Sequence, residues 1–206
     1  MEKALTIIEL SNLALALIPV LVVLFIQFLW SLPQKKTLSA LLRMLVQLLL
    51  VGFFLSYLFE SSNVWIVLLL LMIMVLFSSW IALNNIEIPK RQLFKKVLLA
   101  ITLSSTFTLL IITQGVLQLS PWYQAQTLIP LAGMVFASSM NSVSLSGERF
   151  YAELANKVHY SQARNIAFQS SMIPNVNALF AVGIVSLPGM MTGQILSGVS
   201  PFIAAR

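Results

Sequence analysis

The sequence predicts an all-α membrane protein, a polytopic bundle of about six spanning helices in one domain over residues 1–206, and three observations carry that expectation. Hydrophobic residues make up 59% of the chain and charged residues 9%, with a mean hydropathy of +0.94. One soluble core cannot hide that much apolar surface. The apolar residues come in nearly uncharged runs long enough to cross a hydrocarbon core of about 30 Å. The lysines and arginines fall mainly between those runs, so the net charge of +6 reads as a topology signal and not as a nucleic-acid surface.

Taken in order, residues 10–32 form the first expected span, with Pro19 inside it. Glu2, Lys3 and Glu9 precede it without the basic start of a cleaved signal, and no small-residue cleavage site closes it, so it is a retained helix. The second span is expected over 38–59, a short turn at Glu60 to Asn63, and the third span over 64–83. The basic run Lys90 to Lys96 leads into a fourth over 97–117, and an uncharged loop at 118–126 leads into a fifth over 128–145. The sixth is expected over 173–198.

Lys and Arg near span ends are retained in the cytoplasm, so the loops can be oriented by charge. The stretches after spans one and three each carry a net +3, and that after span five a net +1, while the opposite side totals −1. The expected topology therefore has the N-terminus outside and three basic cytoplasmic loops.

The third of these, residues 146–171, differs from the others. Arg149, Glu153 and Lys157 recur every four residues, and Phe150, Leu154 and Val158 recur at the same spacing on an adjoining face, which predicts an amphipathic helix. Glu153 stands four residues before Lys157, the favourable order for a helical ion pair. Such a helix either lies on the lipid surface or docks a cytoplasmic partner.

The stretch 173–201 carries no charge, yet Pro188 and Gly189 interrupt it. Proline removes an N–H and clashes with the preceding turn, so freed carbonyls must face protein or a wet cavity. A broken helix of this kind lines a transport site or serves close packing. Asn175, Asn177, Thr192 and Gln194 add hydrogen-bonding groups there, and Met190 and Met191 add thioethers, which suit soft metals or fill apolar gaps. In the second span Arg43 lies one turn from Gln47. The pair either faces protein or water, or the arginine reaches back to the headgroups.

Several activities are disfavoured. With no cysteine, disulfides and thiolate metal sites are excluded. No lysine sits in a glycine-rich phosphate loop, so the chain is not expected to hydrolyse ATP. The sole histidine, His159, lies in the polar stretch and not at membrane depth beside a serine, which disfavours an intramembrane serine protease. No bound cofactor or catalytic residue is expected. A secondary transporter or a non-transporting membrane scaffold stays open on the residues alone.

The run GIVSLPGMMTGQILSG at 183–198, followed by Pro201, resembles a signature of the iron-export ABC permease family typified by FetB, which also includes plant proteins linked to aluminium tolerance. IPLAGM at 129–134 with MNSVSL at 140–145 resembles the family's second signature, in the same order, and Arg43, Gln47 and Gly52 match its pattern in that helix. The resemblance implies a permease subunit of an ABC exporter in a bacterial cytoplasmic (inner) membrane. Two permease copies would combine with two separate ATPase subunits that use ATP, and alternating access would export a metal ion, iron by resemblance. It implies a transport pathway through Arg43, Gln47, Met134, Asn141, Asn177, Pro188, Gly189, Met190 and Gln194. It also implies ATPase coupling through Arg149, Phe150, Glu153, Leu154, Lys157 and Val158. Three departures stand out. Asn177 and Phe180 replace an Asp and a Lys, Ala137-Ser138 replaces Gly-Asn, and no Gly or Pro lies between Arg149 and Ile173. The first two weaken a hard-cation site. Relatives are expected to continue past the Pro201 position, which reads as a fragment, a truncated gene or a shortened paralogue.

Overall fold

The computed structural model describes residues 12, 15–60, 63–84, 86 and 89–205, and among them the protein is all-α. The helices are α1 (Ile18–Leu29), α2 (Gln34–Glu60), α3 (Val64–Ala82), α4 (Lys90–Leu110), α5 (Ala125–Ala155), α6 (Tyr160–Ala181), α7 (Gly189–Leu196) and α8 (Pro201–Ala204); α4 continues as a π-helical turn, Ile111–Val116. Four are long and apolar enough to cross a membrane: Gln34–Leu55, Val64–Ala82, Lys90–Val116 and Ala125–Ala155. They overlap the second to fifth expected spans. The expectations placed on the N-terminal charges, on residues 10, 11, 13 and 14, on the Glu60 side chain, on residues 61–62, on Glu87 and on Arg206 lie outside the described residues.

The chain divides into two compact units, Met1–Leu55 with Val182–Arg206, and Ser56–Ala181. In the first, α1 has 12 residues, about 18 Å of helix at 1.5 Å per residue. Pro19 stands in the first turn of α1, where a missing N–H costs nothing, and residues 12 and 15 before it are also helical. The Gln34 side-chain amide donates to the Leu24 carbonyl at 3.3 Å, tying the start of α2 back to α1.

The second unit is built on α5. Its Leu131, Ala132 and Phe136 meet Val75 and Ala82 of α3 and Ile101 and Leu109 of α4 in one core. Lipid tails are as apolar as leucine, so this association rests on close packing of small residues and on satisfied polar groups. Ser78 and Ser79 both donate to the Val75 carbonyl at 2.9 and 2.7 Å, and the hydroxyls of Ser105 and Ser139 meet across α4 and α5 at 3.3 Å. Gly147 of α5 lies so close to Ile86 that a Cβ there would overlap the isoleucine side chain. Asn63 caps α3, accepting from the Trp65 N–H at 2.9 Å.

Four element boundaries differ from expectation, each for a local reason. The basic run Lys90 to Lys96 is already helical, because Pro89 supplies the N-cap of α4. The fifth helix runs from Ala125 to Ala155, beyond 128–145, with Pro130 near enough to its N-terminus to free only the Gln126 carbonyl. Residues 146–171 are not one amphipathic helix: they are the end of α5, a turn at 156–159 and the start of α6. The break expected at Pro188-Gly189 extends over 182–188. α6 ends at Ala181, Gly183 takes φ +86, and Pro188 is the N-cap of α7. Gly183 supplies the left-handed conformation that ends the helix at little cost, Leu187 is biased to extended backbone by the proline after it, and Pro188 then starts a new helix of 8 residues.

Candidate functional site

Polar groups gather between α5 and α6. On α5, Ser138, Asn141, Ser142 and Leu145 follow the i, i+3, i+4, i+7 pattern of one helical face. With Ser171, Pro174 and Asn175 of α6 they line a cavity of about 70 Å³. Asn175 donates to the Ser142 hydroxyl at 3.4 Å, and Ser171 donates to the Phe168 carbonyl at 2.8 Å, which leaves its oxygen lone pairs available. Pro174 lies inside α6 and leaves the Ser170 carbonyl without its helical donor. The lining side chains that carry polar atoms are neutral hydroxyls and amides. They can hydrogen-bond a polar ligand or offer oxygen to a cation, and among the described residues no three of His, Cys, Asp or Glu group as metal ligands.

Of the residues expected on the pathway, Asn141 lines this cavity. Met134 and Asn177 are exposed on α5 and α6. Arg43, Gln47, Pro188, Gly189, Met190 and Gln194 belong to the other unit, the first two exposed and one turn apart on α2, Pro188, Gly189 and Met190 at the start of α7 and Gln194 in its second half. Gly189 has open space where a Cβ would project, so it is not a close-packing glycine. Sequence reasoning passed over Ser142 and Gln27. Ser142 was signalled by polar residues recurring at helical spacing with Ser138. Gln27, in α1, has a buried side-chain oxygen without a hydrogen-bond partner among the described residues, and a lone glutamine in an apolar run carries no such signal.

The tip of the α5–α6 hairpin holds the expected coupling residues. Arg149 Nη2 pairs with Glu153 Oε1 at 2.6 Å, and Glu153 is only 8% exposed. This replaces the expected Glu153–Lys157 pair, because Lys157 has left the helix with φ +62. The helix closes with two bonds, Lys157 N–H to the Leu154 carbonyl at 3.0 Å and Val158 N–H to the Glu153 carbonyl at 3.1 Å. That is the Schellman pattern, here with lysine where glycine is usual. Phe150 stacks edge-on against Tyr151 and Tyr160 at 5.3 and 5.5 Å. It joins the two helices, and with Leu154 and Val158 it is half-buried instead of forming a free docking face. His159 Nδ1 accepts from the Ser161 N–H at 3.4 Å and thereby serves the first turn of α6.

No solved structure matches the chain. Residues 10–206 match UPF0014, described as an uncharacterised protein family. The UPF0014 membrane protein slr1647 of Synechocystis is 36% identical over 79% of this chain and 69% of its own length. The UPF0014 membrane protein YjkA of Bacillus subtilis is 32% identical over 95% and 83%. The probable iron export permease protein FetB of Escherichia coli is 31% identical over 95% and 80%. By the family match across nearly its whole length, the chain belongs to the UPF0014 family of membrane proteins.

Proposed function

We propose that this membrane protein is the permease subunit of an ABC exporter of a metal ion, iron by its relation to FetB. It works as a homodimer with a separate ATPase subunit, in a bacterial inner membrane with the N-terminus outside. The observation that carries the coupling is the continuity of α5, 31 residues without interruption. It runs from the uncharged loop, past the polar cavity, to the tip where the Arg149–Glu153 pair and the Phe150–Tyr160 contact join it to α6. A push at such a tip cannot be absorbed by a loop. It moves Ser138, Asn141 and Ser142 along with the tip, and alternating access needs that motion. ATP is used by the partner, and the metal is substrate.

Two experiments test this. Single cysteines at Gln124 and Gln92, in a chain that has none of its own, should label from opposite sides with an impermeant thiol reagent; labelling of both from one side contradicts the topology. Lys157 is exposed, so Lys157→Glu should leave thermal unfolding unchanged and abolish co-purification with a co-expressed ATPase subunit. Retained co-purification places the docking surface elsewhere.

A further inference from the structure

A second, larger feature lies at the basic end of the Ser56–Ala181 unit and shares Ser142, Ser171, Phe150 and Tyr160 with the transport reading above. It is a groove of about 520 Å³ between the start of α4 and the two arms of the α5–α6 hairpin. Leu93, Val97, Val143 and Phe168 give it an apolar floor, and Arg164 stands in its lining. The Arg164 guanidinium reaches only Asn165 Oδ1, at 3.3 and 3.4 Å. The one ion pair among the described residues is Arg149–Glu153, so Arg164 has no acidic partner there.

The groove also stands at a defined level. On α4 the four cations Lys90, Arg91, Lys95 and Lys96 give way to an uncharged run at Val97, which lines the groove, so the boundary between charge and hydrocarbon passes along α4 beside the groove. Nearby, Lys90 bonds to Asn84 and lies 5.0 Å over the half-exposed Trp80 ring, and Trp80 meets Phe94 edge-on at 5.9 Å. Tryptophan beside a cation is the usual occupant of the headgroup level. The groove therefore has Arg164 in its lining and the α4 cations beside it where headgroups lie, with an apolar floor where acyl chains begin. Positive charge crowded into the first turns of a helix opposes its dipole, so an external anion here is favoured twice.

We propose that the groove holds one anionic phospholipid, with an acyl chain along Leu93, Val97 and Phe168 and its phosphate between Arg164 and Lys96. A cation near an anionic headgroup changes affinity about fivefold. The test uses the full chain, purified in neutral detergent, delipidated, and titrated with phosphatidylglycerol or phosphatidylcholine while bound lipids are counted by native mass spectrometry. Phosphatidylglycerol should bind at least about fivefold more tightly, and Arg164→Gln or Lys96→Gln, both exposed positions, should each remove most of that preference with thermal unfolding unchanged. Phe168→Asn should weaken both lipids alike, since the floor does not read charge. Equal binding of the two lipids, or a preference untouched by either charge variant, overturns the proposal. So does loss of ATPase co-purification in Arg164→Gln and Phe168→Asn with lipid binding intact, which would assign the groove to that partner.

Discussion

The α2 and α3 helices are both apolar enough to span a membrane, yet each is packed differently within its own unit. α3 buries Val67, Val75, Ser78, Ser79 and Ala82, while none of the spanning part of α2 is buried and its Phe53 is 84% exposed. Hydropathy does not separate them, at 2.7 and 2.2. The difference is side-chain size and polarity at helix spacing. α3 carries the small Ser78, Ser79 and Ala82 on its packed side, and α5 presents Ala132 and Gly133 to it, whereas 48–54 of α2 reads LLLVGFF. In hydrocarbon an apolar surface gains little by leaving lipid, so close approach and satisfied hydroxyls decide which helices pack.

That contrast can be broken first at the core. Phe136→Ala leaves a cavity that the neighbours of α5 cannot fill, and because the transfer term is absent in lipid, the cavity term alone sets a loss of about 2 kcal/mol. Phe53→Ala should change stability by less than about 0.5 kcal/mol, and reversible unfolding in detergent measures both. The two glycines sharpen the comparison. Gly147→Leu collides with Ile86 and should cost about 1 to 3 kcal/mol, relieved in part by Ile86→Ala, while Gly189→Leu enters open space and should be nearly silent. Equal effects at the two positions would dissolve the distinction.

Within the hairpin the expected effects are smaller. Arg149→Ala strands the buried Glu153 carboxylate and should cost about 1 to 2 kcal/mol, reduced from a fully buried pair because the arginine is half exposed. Lys157→Gly should stabilise by about 0.5 to 1 kcal/mol, since φ +62 suits glycine better than lysine. Thermal unfolding of the two variants, side by side, checks that Lys157 and not Arg149 is the residue outside the ion pair.

Much of the architecture was legible in the sequence because long apolar runs have few alternatives to a helix. The boundaries were not, since hydropathy marks where lipid ends and a helix ends where its hydrogen bonds do. α5 continues past Leu145 through charged residues to Ala155, and its stop at Lys157 uses a residue that gives no C-cap signal. At the other end of the chain Pro188 was read as the point where a span breaks. It starts α7, and the residue that ends the helix before it is Gly183. The polar cavity was half legible. Asn141 and Ser142 lay in a recognisable stretch, but Ser171 gains meaning only when α5 and α6 are set side by side.

The most direct test of coupling through α5 is ATP-dependent iron efflux from vesicles containing this chain and the ATPase subunit proposed to drive it. The comparison is between the unaltered chain and one carrying Gly-Gly inserted between Leu145 and Ser146, where the helix passes from the cavity to the tip. If α5 transmits the ATPase stroke, the insertion abolishes efflux while the chain stays inserted and the ATPase still co-purifies. Equal efflux from both chains, or efflux that proceeds without ATP, would contradict the account.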